Sequence, residues 1–401
     1  MLSLIVVANI VNMIFPKGMG YEAQTGFMYE LSKYIYGICI IIMLPSLFSF
    51  KKFYFEKMRW MTVMVIVYIA AAIAFSMKFE MGQYLKTIMI CLSFIFFEEV
   101  LEERKVDKRF IYAYMFSVFI CITYLSLTQN RLEQAVMNEG QIGGGQGITI
   151  SMVYLLPLIF YLFKGKASSY MFLIGLLAVI VSLRRTAILA YLLCIPFIYK
   201  RIKGTISRKN IYIMIAGVTI LFFYIYNNYW FVIQNRFADM IEANDSGYYG
   251  SGRTGWWEVL INNYIDSPLH WIQGFGLGQV AQHMAEAGFP FGSAHNDYIE
   301  IGYTFGLLGM FLWFGTIIDI LKMYSNKYLK NKSSLILMAS VSYLFISFLS
   351  GASHQPHFMC IALFSALMLR EVRLKTSKKI YEKLLIHYSS SQLAKFIKSL
   401  S

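Results

Sequence analysis

The chain has 401 residues, of which 58% are hydrophobic and 17% aromatic, and it carries a formal net charge of +14. Ordinary soluble domains are about 45–50% apolar, so this composition excludes a soluble globular protein. The positive charge does not indicate nucleic-acid binding, because no folded basic domain remains outside the apolar runs to carry it. We therefore expect an integral membrane protein that has membrane lipid, and no nucleic acid, as a partner.

Apolar runs of about 15–23 residues, separated by short charged links, predict transmembrane helices along most of the chain. About twelve such runs occur, at residues 1–15, 27–49, 60–77, 83–98, 110–127, 148–164, 169–183, 186–200, 211–230, 299–321, 334–350 and 357–370. Nine helices fall within residues 1–230, and a large loop of short helices follows at 231–298. Three more helices lie within 299–370, and a basic tail occupies 371–401. The expected fold class is all-α.

The charges of the links alternate along the chain, and this alternation predicts the orientation. Every second link is rich in Lys and Arg, beginning with residues 51–59 and 104–109, and the links between are, with one exception, neutral or acidic. Basic links remain in the cytoplasm. Both termini are therefore predicted to be cytoplasmic, and residues 231–298, named the outward segment here, face the periplasm or the cell exterior.

The exception is the pair Arg184 and Arg185, in a short link on the side where positive charge is avoided. Two interpretations remain open. The pair could reach lipid phosphates at the membrane surface. It could also bind an anionic ligand, which would offset the cost of about 2.5–3.5 kcal/mol for an arginine deep in the membrane. We favour the anion site.

A second outward loop, residues 129–147, contains Arg131 and a glycine-rich run at 143–147. Glycines that precede a helix can form a nest of backbone amides for an anion. Such a run is more often a hinge, and both interpretations remain open. Arg131 is a candidate substrate-binding residue.

The outward segment places Arg253 close to a predicted helix start. Ser251 is the predicted N-cap of a helix that runs through Trp256 and Trp257. The amides of a first helical turn favour an anion, and an arginine there makes a good phosphate contact. The alternative is an ion pair between Arg253 and Glu258 or another carboxylate of the loop. The helix is expected to be amphipathic, with its paired tryptophans at the membrane interface.

His295 is the candidate general base. Ser293 is a predicted cap for a helix that starts near His295 and continues into the tenth span. The dipole of that helix would favour the neutral imidazole, the form that accepts a proton at the cell surface. Asp297 or another carboxylate would orient the ring. The alternative is a structural histidine bonded to a backbone carbonyl at the junction of loop and helix.

The glycines of residues 274–278 resemble a nucleotide fingerprint but lack its strand–turn–helix setting, so they predict a tight turn before a helix near Gln279. His354 and His357 have the spacing of a metal-binding pair. No cysteine or carboxylate lies near them in the sequence, and the signal for a metal is weak. We expect neither a metal nor a cofactor.

Several elements between residues 250 and 310 form a combined pattern: Ser251-Gly252-Arg253 with Trp257, Pro268, Gly274-x-Gly276-x-Gly278, His295-Asn296-x-Tyr298 and Gly306-x-x-Gly309. Together they resemble the O-antigen polymerase and O-antigen ligase superfamily. Arg185-Thr186 also resembles the arginine element of this family. Here Arg184 stands where a serine usually precedes that arginine, so either arginine could be the one that faces the site.

The resemblance implies a GT-C-like membrane glycosyltransferase, metal-independent and inverting, in the bacterial cytoplasmic (inner) membrane. Its donor and acceptor would be oligosaccharides linked to undecaprenyl pyrophosphate. By the same resemblance, Arg185 and Arg253 would hold the pyrophosphate, and His295 would deprotonate the acceptor hydroxyl. The further residues that we predict to bind substrate are Arg184, Ser251, Asn296, Tyr298, Trp257 and Arg131.

Within this family we expect a polymerase of O-antigen or capsule repeat units, with a chain-length regulator and a flippase as possible partners. The first alternative is a ligase that transfers the glycan to the lipid A core. The second is a flippase or other transporter of lipid-linked oligosaccharides. A transporter places its ionisable groups along a cavity at the membrane midplane, whereas here they gather in the outward segment.

Overall fold

The computed structural model describes eight long stretches of the chain and a few isolated positions. The stretches are residues 27–47, 81–103, 147–181, 185–202, 253–276, 278–288, 294–350 and 359–387, and the isolated positions are 109, 112, 113, 116, 216, 219, 223, 226, 227, 395 and 399. The predicted spans 1–15 and 60–77 lie outside them, as do 110–127 and 211–230 apart from isolated positions.

All regular structure in the described stretches is helical, and they contain no strand. The α-helices are α1 (Phe27–Leu47), α2 (Met81–Glu103), α3 (Gly147–Leu162), α4 (Lys166–Val181), α5 (Arg185–Ile202), α6 (Arg253–Ile265), α7 (His270–Gln273), α8 (Gln279–Glu286), α9 (Asp297–Tyr324), α10 (Ser333–Ser350) and α11 (Met359–His387). A 3₁₀ helix at Lys327–Lys332 leads into α10. The all-α class is confirmed for these residues.

Among the described residues, two helical segments are long and apolar enough to cross a membrane, Asp297–Tyr324 and Lys327–Leu349. Shorter apolar stretches lie in α1, α3 and α5. The predicted number of twelve spans is therefore not confirmed by this part of the chain.

The last helix, α11, extends well beyond its predicted apolar span. The span was predicted at residues 357–370, whereas the helix runs from Met359 to His387. The apolar run ends where charged residues begin. The Lys, Glu and Leu residues that follow are good helix formers, so the helix continues past the apolar run.

Helix α3 lies in the interior of the helical core. Every residue from 152 to 160 is buried, and α3 packs against α4, α5, α10 and α11. A helix that is apolar on all sides belongs in such an interior position. Around it, α10 packs against α5 and α9, and α2 packs against α1 and α11.

Side-chain contacts establish the relative directions of these helices. The Lys332 Nζ lies 4.7 Å from the ring centroid of Tyr161, so α3 ends where α10 begins. The Tyr298 and Phe348 rings lie 6.0 Å apart, so α9 begins where α10 ends. Short links join α3 to α4 and α4 to α5, and each reverses the chain direction. Helix α5 therefore begins, at Arg185, at the same end of the bundle as α9, here named the His295 end.

The opposite end of the bundle is held by ionic contacts between distant parts of the sequence. Arg373 of α11 pairs with Glu98 of α2. The Lys332 Nζ lies 3.8 Å from a carboxylate oxygen of Glu371, and Lys375 donates to the Tyr328 carbonyl at 2.7 Å. These contacts fix α11 at this end of the bundle. At the His295 end, the helices of the outward segment pack against α9.

Candidate active site

The residue before His295 is held on both sides by side chains. The Trp257 Nε1 donates to the Ala294 carbonyl at 2.8 Å, and the Ala294 amide donates to the Glu300 Oε2 at 3.1 Å. Ala294 is fully buried. The backbone on the N-terminal side of His295 is therefore fixed both to α6 and to α9.

The residue after His295 is the cap of α9. The Asn296 Oδ1 accepts from the amides of Tyr298, at 2.9 Å, and Ile299, at 3.3 Å. The helix thus begins at Asp297 with Asn296 as its N-cap, rather than near His295 with Ser293 as the cap. The predicted placement of His295 in the first helical turn is therefore wrong. The reason is local, because asparagine is among the strongest N-cap residues and His295 itself has a non-helical backbone.

His295 has a φ of 51°, and it is the non-glycine residue with a positive φ in the described chain. Left-handed backbone is uncommon for residues other than glycine, and such strain concentrates at functional sites. Its ring is half-buried, with its centroid 6.0 Å from that of Trp256. The hydrogen bonds of Ala294 and Asn296, the residues on either side, maintain this conformation and fix the direction in which the imidazole leaves the backbone.

The glycine-rich turn of the outward segment docks onto α9. The Phe275 and Gly276 amides donate to the carbonyls of Tyr303, at 2.8 Å, and Thr304, at 2.9 Å. These carbonyls lose their helical partners because Gly306, with φ 63° and ψ −161°, interrupts α9. The turn thus replaces hydrogen bonds that the kink removes.

This docking requires glycine at two positions. A Cβ on Gly274 would meet the Thr304 and Phe305 backbone, and a Cβ on Gly306 would lie 2.6 Å from the Gly274 amide nitrogen and closer still to the Ile272 carbonyl. The predicted turn before a helix near Gln279 is confirmed, since α8 begins at Gln279. The turn also joins the outward segment by hydrogen bonds to α9, a helix long enough to cross a membrane. This larger role was not predicted.

The two tryptophans of α6 differ in burial. Trp256 is buried in a small core with Leu260, Val280 and Met284, and Trp257 is half-buried against Ala294 and Phe348. The prediction that this pair faces the membrane interface is therefore wrong for Trp256. An amphipathic pattern marks an apolar face but does not distinguish lipid from protein as its partner.

Tyr298 and Trp257 converge on one ring. Both contact Phe348 of α10, at centroid distances of 6.0 Å and 6.4 Å. Tyr298 also contacts Trp313 edge to face at 4.7 Å. This aromatic row joins α6, α9 and α10 beneath the His295 backbone. Trp257, Asn296 and Tyr298, all predicted to bind substrate, are thus seen to support His295.

The described structure places the backbones of the two predicted catalytic arginines. Arg253 is the first residue of α6, one helical turn before the tryptophans that contact His295 and Ala294. Arg185 is the first residue of α5, at the His295 end of the bundle. The predicted positions that lie outside the described residues are Arg131, Arg184, Ser251, Ser293, His354 and His357.

Residues 170–314 match a protein-family model described as O-Antigen ligase. This match supports the O-antigen ligase and polymerase superfamily. The matched range contains Arg185, Arg253 and His295 but not Arg131. No curated protein matches the chain at a significant level.

The matched family is membrane-integral in bacteria. Its activity is of the glycosyltransferase-like ligase or polymerase type, on lipid-linked glycans. The match therefore supports an activity of this general type for the chain.

Sequence reasoning missed residues that support the His295 backbone. Ala294 and Glu300 hold His295 without chemistry of their own, and nothing in their local sequence marks them. Gly306 was noted only as part of a motif, and its contact with the turn at Gly274 became clear only from the structure.

Changing Asn296 to Ala should loosen the start of α9. Two part-buried amides, those of Tyr298 and Ile299, would lose their acceptor. Loss of such a cap costs about 1–2 kcal/mol. We expect Asn296→Ala to unfold at lower temperature in detergent and to show reduced activity. Asn296→Ser retains a cap oxygen and should keep most of the thermal stability and most of the activity. Equal behaviour of the two variants would show that the cap does not support the site.

Proposed function

We propose that the protein polymerises oligosaccharide repeat units carried on undecaprenyl pyrophosphate, at the outer face of the bacterial cytoplasmic membrane. The observation that carries this proposal is the fixed, left-handed backbone of His295 at the end of the bundle where α5 begins with Arg185. Helix α6 begins with Arg253, and its tryptophans contact the Ala294 carbonyl and the His295 ring. This is an arrangement of one base and two cations.

In the proposed reaction His295 takes the proton of an acceptor sugar hydroxyl. The hydroxyl oxygen attacks the anomeric carbon of the donor, and the bond from that carbon to the diphosphate oxygen breaks. The diphosphate leaves with the electron pair, and Arg185 and Arg253 stabilise its developing charge. A single in-line displacement inverts the anomeric configuration, and two guanidinium groups make the step metal-independent.

The remaining predicted residues have supporting roles in this proposal. Asn296, Tyr298 and Trp257 position His295 through the contacts described above. Arg184, Ser251 and Arg131 would contact the diphosphate or the glycan. A chain-length regulator and a flippase are proposed partners, since the substrate must be delivered to the outer face and the product limited in length.

An O-antigen ligase is the second candidate, because the matched family model bears that description. The two activities differ in the acceptor, which is a second lipid-linked repeat unit for a polymerase and a lipid A core sugar for a ligase. The same base and cations serve either acceptor.

A strain that lacks the gene, complemented with the intact protein, distinguishes these functions by the glycans it makes. A polymerase restores a ladder of chain lengths where the null strain shows single repeat units. A ligase null strain instead accumulates long chains on the carrier lipid, with none on lipid A. Loss of all repeat units from the outer face would contradict both and favour a flippase.

Replacing either arginine should reduce transfer strongly. Removal of one preorganised donor to a developing anion typically costs about 10²–10³ in rate. We expect this loss for Arg185→Ala and Arg253→Ala, with only partial recovery for the lysine variants, because lysine lacks the planar fork that binds phosphate. The measurement is the ladder in complemented null strains at matched protein levels.

Lys322→Ala is the matched control for loss of positive charge. Its exposed ammonium lies 3.4 Å from Asp319 near the other end of α9, and exposed pairs of this kind contribute little. The control should polymerise normally. Normal ladders from both arginine variants would contradict the proposed diphosphate site.

A further inference from the structure

The connection from the end of α6 through α7, residues 261–273, is an apolar surface on the outside of the protein and is named the elbow here. The exposed fractions are 85% for Leu269, 70% for Ile272, 55% for Ile265, 43% for Trp271 and 42% for Ile261. Residues 259–285 contain one formally charged residue, Asp266. Exposed apolar side chains grouped in this way mark an interaction surface.

Tyr264, Trp271 and several backbone amides of the elbow have hydrogen-bond partners within it, whereas the buried His270 Nδ1 has none among the described residues. The Tyr264 hydroxyl donates to the Trp271 carbonyl at 2.6 Å, and the Trp271 Nε1 donates to the Tyr264 carbonyl at 2.8 Å. Burial raises the pKa of the Tyr264 hydroxyl, which therefore remains a donor at physiological pH. The backbone amides at 266, 267, 270, 271 and 274 also have backbone partners. Backbone amides that are paired in this way can lie next to hydrocarbon without a large cost in free energy.

The elbow meets α9 where the lipid-facing side of that helix begins. From Asp297 to Gly306 no residue of α9 is exposed, and the first exposed residue is Leu307. The exposed apolar side chains of the helix beyond Gly306 are Leu307, Leu308, Phe311, Phe314, Ile318, Leu321 and Tyr324. The Ile272 carbonyl packs directly against Gly306, so the elbow surface is continuous with this side of α9.

The length of α9 places this junction near a membrane boundary. Its 28 residues span about 42 Å, whereas the hydrocarbon core is about 30 Å thick. The 18 residues from Leu307 to Tyr324 span about 27 Å and match that core. The preceding part of the helix then stands above it, covered by the outward segment.

We propose that the elbow inserts into the lipid of the membrane leaflet at the His295 end of the bundle. Leu269 and Ile272 enter the outermost hydrocarbon, and Trp271 lies at the headgroup boundary, where tryptophan is enriched. The proposal is independent of the reaction and of the acceptor. It assigns to Trp271 the interfacial position that the buried Trp256 does not occupy.

The test measures depth directly in the intact protein. An environment-sensitive fluorescent amino acid is introduced at position 269 by stop-codon suppression, and the full chain is reconstituted in phosphatidylcholine vesicles. Because Leu269 is 85% exposed, this replacement disturbs no packing. The matched position is 285 at the end of α8, also exposed and in the outward segment but away from the elbow.

Nitroxide-labelled lipids should quench the probe at position 269 at least about three-fold more than the probe at position 285. The same difference is expected for a probe at position 272. Equal quenching at 269 and 285 would overturn the proposal. The proposal would also be overturned if labelled lipids did not quench the probe at 269 and the probe became shielded as the protein concentration rose. In that case the surface would bind a second copy of the chain.

Discussion

Strains that carry His295→Asn or His295→Gly in place of the natural protein are expected to make single repeat units and no ladder. Removal of a general base slows transfer by about 10²–10⁴-fold. Asparagine and glycine are chosen because both tolerate the left-handed backbone that His295 adopts with φ 51°. The protein should therefore fold and insert as before, and only the imidazole is lost.

This pair of variants separates the imidazole from the backbone conformation. If the only role of His295 were to hold the left-handed backbone, the glycine variant would relieve the strain and keep full activity. The control is His387→Asn, at the last residue of α11, which should polymerise normally. Added imidazole should restore part of the activity of His295→Gly. Full ladders from His295→Asn would contradict the proposed base.

Gly306→Ala is expected to destabilise the protein by several kcal/mol. The φ of 63° and ψ of −161° belong to a region that only glycine occupies readily, at a cost of about 1–3 kcal/mol for other residues. A Cβ there would also strike the Ile272 carbonyl and the Gly274 amide. Relief of that clash requires the turn to leave α9 and give up its two hydrogen bonds to Tyr303 and Thr304.

Gly302→Ala is the matched control, on the same helix and four residues earlier. A Cβ at this position would have only the Met310 side chain, at 3.5 Å, within ordinary contact distance. Alanine is also the better helix former. Thermal unfolding in detergent, followed by size-exclusion chromatography, should show a loss of several degrees for Gly306→Ala and none for Gly302→Ala. Equal unfolding temperatures for the two variants would contradict the close packing of the Gly274 turn against Gly306.

The local features of the fold were accessible from sequence because they depend on neighbouring residues. Helix α9, predicted at 299–321, runs from Asp297 to Tyr324, and α8 begins at the predicted Gln279. Apolar runs and turn residues determine both. The roles of residues 253 and 295 stay a prediction, drawn from a combination of motifs, and the matched family range contains both residues.

The long-range features were not accessible in this way. Glycine is common in membrane helices, so Gly306 gave no sign of a break until the turn at Gly274 was seen against it. By pattern, the tryptophans of α6 fit a membrane surface equally well, and only the packing of Trp256 against Val280 and Met284 shows that it is buried in the protein. Each of these features depends on a partner distant in the sequence.

The most direct test of the account is chain elongation by the purified protein in vesicles that contain a defined undecaprenyl-pyrophosphate repeat unit. We predict that the intact protein joins these units without added lipid A. We also predict that His295→Asn, reconstituted at the same level and with the same unfolding temperature, forms no measurable dimer of units. Elongation by His295→Asn at the rate of the intact protein would contradict the central claim that His295 is the base of a glycosyl transfer.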